Sequence, residues 1–365
     1  MSAPAGTGAL VAPREDLVEL EGYHSPQLEA TVRLNTNESP YAPPPGFVSA
    51  WLEALGNVPL NRYPDRAARD LRAALGAHLG QPDERLFCAN GSNEVLQTLL
   101  LTYGGPGRRA LVFEPTYALH AHIARITGTE VVAGERSEGF AIDLDDARRL
   151  VERHQPAVVL LCSPNNPTGT LDAPELATEL AEAGDGLVVV DEAYGEFADR
   201  SAIDGVGDDR RVVVVRTYSK VWSLAALRLG FCVAPPWVVA ELEKVVLPYH
   251  LASPTQLAGL VALRFGAEMD SRVERLCDER DRLARELVAV DGVTVYPSGA
   301  NFLLLRAARD GHGLWRRLVD RGVLVRDFSR WPRLDDCLRV TVGTQAENDA
   351  FLTALREALQ EVPQP

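Results

Sequence analysis

A lysine closes the run "RVVVVRTYSK" at residues 211–220, in a chain that otherwise favours arginine heavily over lysine. Lys220 has hydroxyls close by at Thr217 and Ser219, and Arg228 follows eight residues on. Burial at a strand end lowers a lysine's pKa and leaves an amine able to attack a carbonyl. The plain alternative is a side chain that snorkels from a domain edge. On the first reading Arg228 returns across the turn toward Lys220 as an anion ligand.

Three other apolar runs end in dense polar groups: "CANGSNE" (88–94), "SPNNPTG" (163–169) and "DEAY" (191–194). In the first, a glycine precedes Ser92 and Asn93 at the start of the apolar helix "VLQTLLL", where open N–H groups and the positive dipole end can seat a phosphate. Ser and Asn are also the usual residues of an ordinary N-cap. The second group holds Asn166 among turn-forming dipeptides. In the third, Asp191 ends "LVVV", so its carboxylate needs a partner, whether a ligand or a structural cation.

Ligands of open α/β sheets bind beyond the carboxyl ends of the strands, so the elements must bring these groups to one edge. Short β-branched runs, "ALVFEP" (110–115), "EVVA" (130–133), "AVVLLCSP" (157–164), "GLVVVDEAYGEF" (186–197) and "RVVVVRTYSK", alternate with helical stretches. The runs are apolar on nearly every residue, as strands covered on both faces are. The alternation predicts an α/β protein, with a three-layer α/β/α large domain around a mainly parallel sheet. Beyond about residue 248 a long charged helical pattern precedes separate strands at 301–306, 323–326 and 337–343, which reads as a smaller α+β domain. The expected division is an N-terminal arm at 1–46 packing with the small domain, a large domain at 47–247 and the small domain at 248–365.

Composition narrows the partners. A net charge of −14 and a pI near 5.0 argue against a nucleic-acid groove or an anionic membrane as partner. Five scattered cysteines without a C-x-x-C pair read as reduced thiols in a cytoplasmic protein. The first residues, "MSAPAGTGALVAPRED", lack the basic and apolar regions of a signal peptide. No metal site is expected.

The ordered set of segments resembles the fold-type I pyridoxal-phosphate aminotransferases. It comprises "LNTNESPYAPP", "RYPD", "GSNE", "PTYALH", "SPNNPTG", "VDEAYGEF", "TYSK" with Arg228, "ANFLLLR", "VLVRD" and "CLRVTVGT", and spans almost the whole chain. Within that family it looks most like the histidinol-phosphate branch, which implies exchange of an amino group between histidinol phosphate and 2-oxoglutarate. Aromatic amino-acid aminotransferases and a threonine-phosphate decarboxylase share the scaffold and stand as alternatives.

The resemblance implies pyridoxal 5′-phosphate as cofactor and gives each residue an expected role. Lys220 would form the Schiff base with the cofactor aldehyde and then move the proton. Asp191 would pair with the pyridinium nitrogen, which keeps the ring an electron sink. Asn166 and Tyr194 would bond the 3-hydroxyl, and Tyr117 would stack on the ring. Ser92, Asn93, Thr217, Ser219 and Arg228 would hold the phosphate. Tyr63 would reach it from a second subunit, which implies a homodimer with shared active sites. Arg326, Arg339 and Asn37 would bind substrate. A dinucleotide-dependent dehydrogenase is the main rival among α/β enzymes, but the nearest glycine pattern, "GTGALV" at 6–11, lacks the third glycine and lies in the arm.

Overall fold

The computed structural model describes residues 11–18, 20, 22 and 28–361. The signal-peptide reading, the "GTGALV" stretch and much of the expected arm therefore fall wholly or largely outside the described residues. Among the described residues a short 3-10 turn (Glu15–Leu17) precedes strand β1 (Val32–Leu34) and helices α1 (Phe47–Gly56) and α2 (Arg69–Leu79). Strand β2 (Leu86–Ala89), α3 (Ser92–Tyr103), β3 (Arg109–Glu114), α4 (Ala118–Ile126), β4 (Glu130–Glu135) and α5 (Leu144–His154) follow. Next come β5 (Val158–Cys162), α6 (Glu175–Glu182), β6 (Leu187–Asp191), β7 (Val212–Thr217), β8 (Gly230–Val233) and α7 (Pro236–Val245). The last third holds α8 (Ser253–Leu263), the 23-residue α9 (Gly266–Val288) and β9 (Val293–Val295). It ends with β10 (Phe302–Ala307), α10 (Gly311–Asp320), β11 (Val323–Asp327), β12 (Cys337–Thr341) and α11 (Gln345–Gln360).

Seven strands form one sheet in the order β2-β8-β7-β6-β5-β3-β4. Its pairs are parallel from β7 outward to β4, and only β8 runs against its neighbours. The run of valines explains why the sheet is buried on both sides. Val188, Val190, Val212 and Val214 point into a core shared with α2, α5 and α6, whereas Val189, Val213 and Val215 meet α3, α4 and α7. With side chains alternating across a strand, an all-apolar run supplies both faces. The mainly parallel three-layer architecture expected from sequence is the one found.

The second sheet, β1-β11-β12-β10-β9, is mixed. Strand β1 joins it in parallel with β11, so the segment at 32–34 is part of this sheet. Here the period-2 pattern divides the two faces. Val323, Val325, Leu338 and Val340 pack on α9, α10 and α11, and Arg326, Arg339 and Thr341 take the opposite face. Helix α8, past residue 248, packs against α1 and α2 and contributes Ala258, Val261 and Ala262 to the core of the larger sheet.

Candidate active site

Parallel strands bring their carboxyl ends to one edge, and β5, β6 and β7 release Ser163, Asp191 and Thr217 there. The antiparallel β8 starts at the same edge, so Arg228 lies beside these ends and not at the far side of the sheet. A cavity of about 390 Å³ opens between this edge and the arginine-bearing face of the small sheet. Every candidate residue except Tyr63 borders it: Asn37, Ser92, Asn93, Tyr117, Asn166, Asp191, Tyr194, Thr217, Ser219, Lys220, Arg228, Arg326 and Arg339. Tyr63 is 79% exposed and stacks on Tyr249 at 4.5 Å.

At one end the turn before α3 forms a cradle. Glu94 reaches back to accept from the Asn90 N–H at 2.6 Å, which fixes the turn and leaves the first N–H groups of the helix facing outward. Gly91 has φ of +80°, and a Cβ there would lie 2.5 Å from the Arg228 guanidinium. A Cβ at Gly230 would lie 2.2 Å from the Ser92 nitrogen. The two glycines thus let Arg228 and the start of β8 close on the helix N-terminus. Arg228 donates to the Ser219 hydroxyl at 3.2 Å, and Thr217 and Ser219 share a 3.0 Å hydrogen bond. Backbone N–H groups, two hydroxyls and a guanidinium around one concavity form a donor set suited to a phosphate dianion.

At the floor Asp191 is 2% exposed, with Oδ2 3.0 Å from His120 Nε2 and Oδ1 accepting from the Ala193 N–H at 3.0 Å. His120 is wholly buried in the first turn of α4 and touches Tyr117 edge to face. A carboxylate so held can face a cationic ring nitrogen without rotating away. Just past the end of the neighbouring strand β7, Lys220 extends over the Tyr194 ring, its Nζ donating to the Thr36 carbonyl at 2.9 Å. Burial, aided by Arg339 and Arg228 and opposed by Glu38 and Asp191, lowers its pKa from 10.5 to about 8. The amine therefore gives up its proton far more readily than an ordinary lysine, which suits a nucleophile or base.

The far wall carries anion ligands. Arg326 and Arg339 are direct cross-strand partners, 8% and 6% exposed. Like charges facing each other in this way cost stability, and an anion between them relieves that cost. Arg339 is held by the Asn35 carbonyl at 2.8 Å and by Asn166 Oδ1, and lies over the rings of Phe302 and Phe328. Asn37 donates to the Tyr194 hydroxyl at 2.9 Å and its Oδ1 accepts from Thr341. Burial pushes the Tyr194 phenol up to about 12, so it stays protonated. The Asn93 side chain accepts from the Tyr117 hydroxyl at 3.3 Å.

Several residues of the site carry no signal of their own in the sequence. His120 sits in the "PTYALH" segment, but its pairing with Asp191 spans 71 residues and depends on α4 crossing the strand ends. Asn35, Thr36, Phe328 and Trp331 enter from the small sheet and its loops. None of the five cysteines is paired. Burial pushes Cys88 up to about 12 and Cys162 and Cys232 further, so these three are inert packing groups.

A buried carboxylate, a lysine of lowered pKa just beyond the next strand and a phosphate cradle, facing a pair of arginines across the cleft, define a pyridoxal-phosphate-dependent transaminase. Residues 29–355 match the family model for aminotransferase class I and II. A histidinol-phosphate aminotransferase of Frankia casuarinae is 46% identical over 361 residues, covering 95% of this chain and 90% of that protein. One of Streptomyces avermitilis is 45% identical over 361 residues, covering 95% and 96%. The crystal structure of histidinol-phosphate aminotransferase from Sinorhizobium meliloti in complex with pyridoxal-5′-phosphate has a TM-score of 0.89 at 24% identity. That match covers 98% of this chain and 100% of the other, and shows the shared fold. The chain belongs to the class I and II aminotransferases.

Proposed function

We propose that the protein transfers the amino group of L-histidinol phosphate to 2-oxoglutarate, giving imidazole-acetol phosphate and glutamate in histidine biosynthesis. The observation that carries this reading is the pair Arg326 and Arg339, buried side by side across the cleft from Lys220. Both substrates bring an anion, and a guanidinium fork matches carboxylate and phosphate alike. Identity above 40% to several histidinol-phosphate aminotransferases supports it.

Pyridoxal 5′-phosphate, when bound, supplies a conjugated ring that delocalises the electron pair left when a substrate Cα–H bond breaks. The chain's residues do the remainder. Ser92, Asn93, Thr217, Ser219 and Arg228 would hold its phosphate, and Tyr117 would pack against its ring. Asp191, braced by His120, would keep the ring nitrogen protonated. Asn166 and Tyr194 would hold the phenolic oxygen, with Asn37 orienting the Tyr194 hydroxyl. Lys220, its pKa lowered by burial, would hold the cofactor through its amine and, once free, would serve as the base that takes the proton from the substrate Cα. Arg339 grips the α-carboxylate of glutamate and Arg326 the phosphate of histidinol phosphate.

A homodimer in the cytoplasm fits the same reading. Tyr63 lies away from its own chain's cleft, and Leu60 and Leu247 are 87% and 76% exposed, which favours a covering partner. Mixing Lys220→Ala with Tyr63→Phe subunits then yields heterodimers with one intact site and activity above either parent. The substrate assignment is tested by offering imidazole-acetol phosphate or phenylpyruvate with glutamate as donor. Preference for the phosphorylated acceptor supports it, and equal or better use of phenylpyruvate transfers the assignment to an aromatic aminotransferase.

A further inference from the structure

We infer that the loop 328–336 selects the amino donor, with Trp331 meeting the donor's side chain and Arg333 strapping the loop across the cleft; the inference rests on the transaminase reading above. The loop joins β11 to β12 and is folded on itself by bonds from Trp331 N–H to the Phe328 carbonyl, 2.8 Å, and from Leu334 N–H to the Trp331 carbonyl, 3.0 Å. Phe328 and Trp331 both border the cavity and meet edge to face at 5.0 Å. The Phe328 ring also lies under Arg326 and Arg339, at 5.8 and 5.4 Å. An aromatic pair is thus built onto the anion-binding wall.

Arg333 explains how this wall is kept in place. It adopts φ of +66°, a conformation that costs a non-glycine residue energy and persists only where its surroundings hold it. Its guanidinium donates to the carbonyls of Glu114 at 3.0 Å, Arg136, and Ser137 at 3.2 Å, at the ends of β3 and β4. The strap therefore ties a small-sheet loop to the rigid edge of the large sheet. That edge is itself braced by the wholly buried Arg136, which donates to the Phe113 and Cys162 carbonyls and pairs with Asp172 at 3.0 Å. Ring-bearing and aliphatic donors present the same amino group to Lys220 and differ further out. A flat ring gains from stacking against a held indole, and the short chain of glutamate does not.

The two half-reactions separate the cases, each followed through cofactor absorbance with histidinol phosphate alone or glutamate alone. Trp331→Ala should shift the ratio of kcat/KM values at least about tenfold against histidinol phosphate, and Trp331→Phe should restore most of it. Arg333→Gln should give the same direction of shift with an unchanged cofactor spectrum. Arg333→Lys should restore little, since one ammonium cannot span three carbonyls in a fixed plane. Equal losses on both donors in folded Arg333→Gln protein, or no change in the ratio for Trp331→Ala, would overturn the inference. Wild-type protein inert toward histidinol phosphate would count against the substrate assignment instead, and the ratio would then be taken with phenylalanine.

Discussion

The two ends of the cleft are built in opposite ways. Within each piece of the phosphate cradle the hydrogen bonds run between near neighbours: Glu94 to Asn90, Thr217 to Ser219, Ser219 to Arg228. Glycines at 91 and 230 let the pieces close without side chains between them. At the arginine wall the contacts are remote. Arg339 meets Asn35 across 304 residues and Asn166 across 173, and Thr341 meets Asn37 across 304. One end is a set of turns on a rigid sheet, and the other forms only when two sheets and the segment around β1 come together. The contrast suits a transaminase, which holds one cofactor throughout but must admit two different substrates in turn.

The largest effect comes from removing the group that serves both ends. Lys220→Ala should lower turnover by on the order of 10⁴-fold or more, since covalent attachment and proton transfer are lost together. The cradle should still retain cofactor, seen as absorbance that co-elutes with the protein; loss of that retention would mean that the cradle does not act independently of Lys220.

Next in size are the arginines of the wall. Arg326→Ala should reduce kcat/KM for histidinol phosphate by about 2–3 kcal/mol, the value of a charge-assisted bond at a buried site, and spare neutral aromatic donors. Arg339→Ala should weaken glutamate as well. Equal losses with histidinol phosphate and phenylalanine for Arg326→Ala would move phosphate recognition elsewhere.

A smaller change is expected at the cradle from Gly91→Ala, where the added methyl meets Arg228 and the backbone is left-handed. Strain of about 1 kcal/mol should weaken cofactor retention several-fold and leave the ratio of the two donors alone. A shift in that ratio, measured by the same half-reactions, would show that the two ends are coupled.

A last effect, on stability and not on turnover, is a pH dependence. With Lys220 lowered to about 8 in the folded chain and near its ordinary 10.5 when unfolded, the folded state binds fewer protons between those values. Stability of the apoprotein therefore rises with pH across that window, and the burden of the buried charge is full below about 8. Relative to Lys220→Met, wild-type unfolding midpoints in denaturant should improve from pH 8 to 10.5 by on the order of 1–3 kcal/mol. A flat difference would mean that the amine titrates at its ordinary value.

The fold class was legible because an all-valine run admits few placements: a strand with no polar side must be covered twice, and strand–helix alternation then makes the sheet parallel. Strands β1, β8 and β9 escape such reading, since three or four residues show no period and their place depends on neighbours far along the chain. That Lys220 and Asp191 lie at one edge follows from sequence in the same way, as each lies at or just past the end of one of two apolar runs that pair side by side. The sequence by itself thus determined the three-layer core, the polar strand ends and the type of chemistry that a buried lysine permits. Tertiary structure alone decided that His120 braces Asp191, that Arg326 and Arg339 lie opposite each other, and that Arg333 crosses to the large sheet. The physical reason is range. Strand periodicity, capping and turns act over a few residues, whereas these pairings depend on how whole elements pack, and no local pattern records which remote carbonyl or carboxylate a side chain will meet.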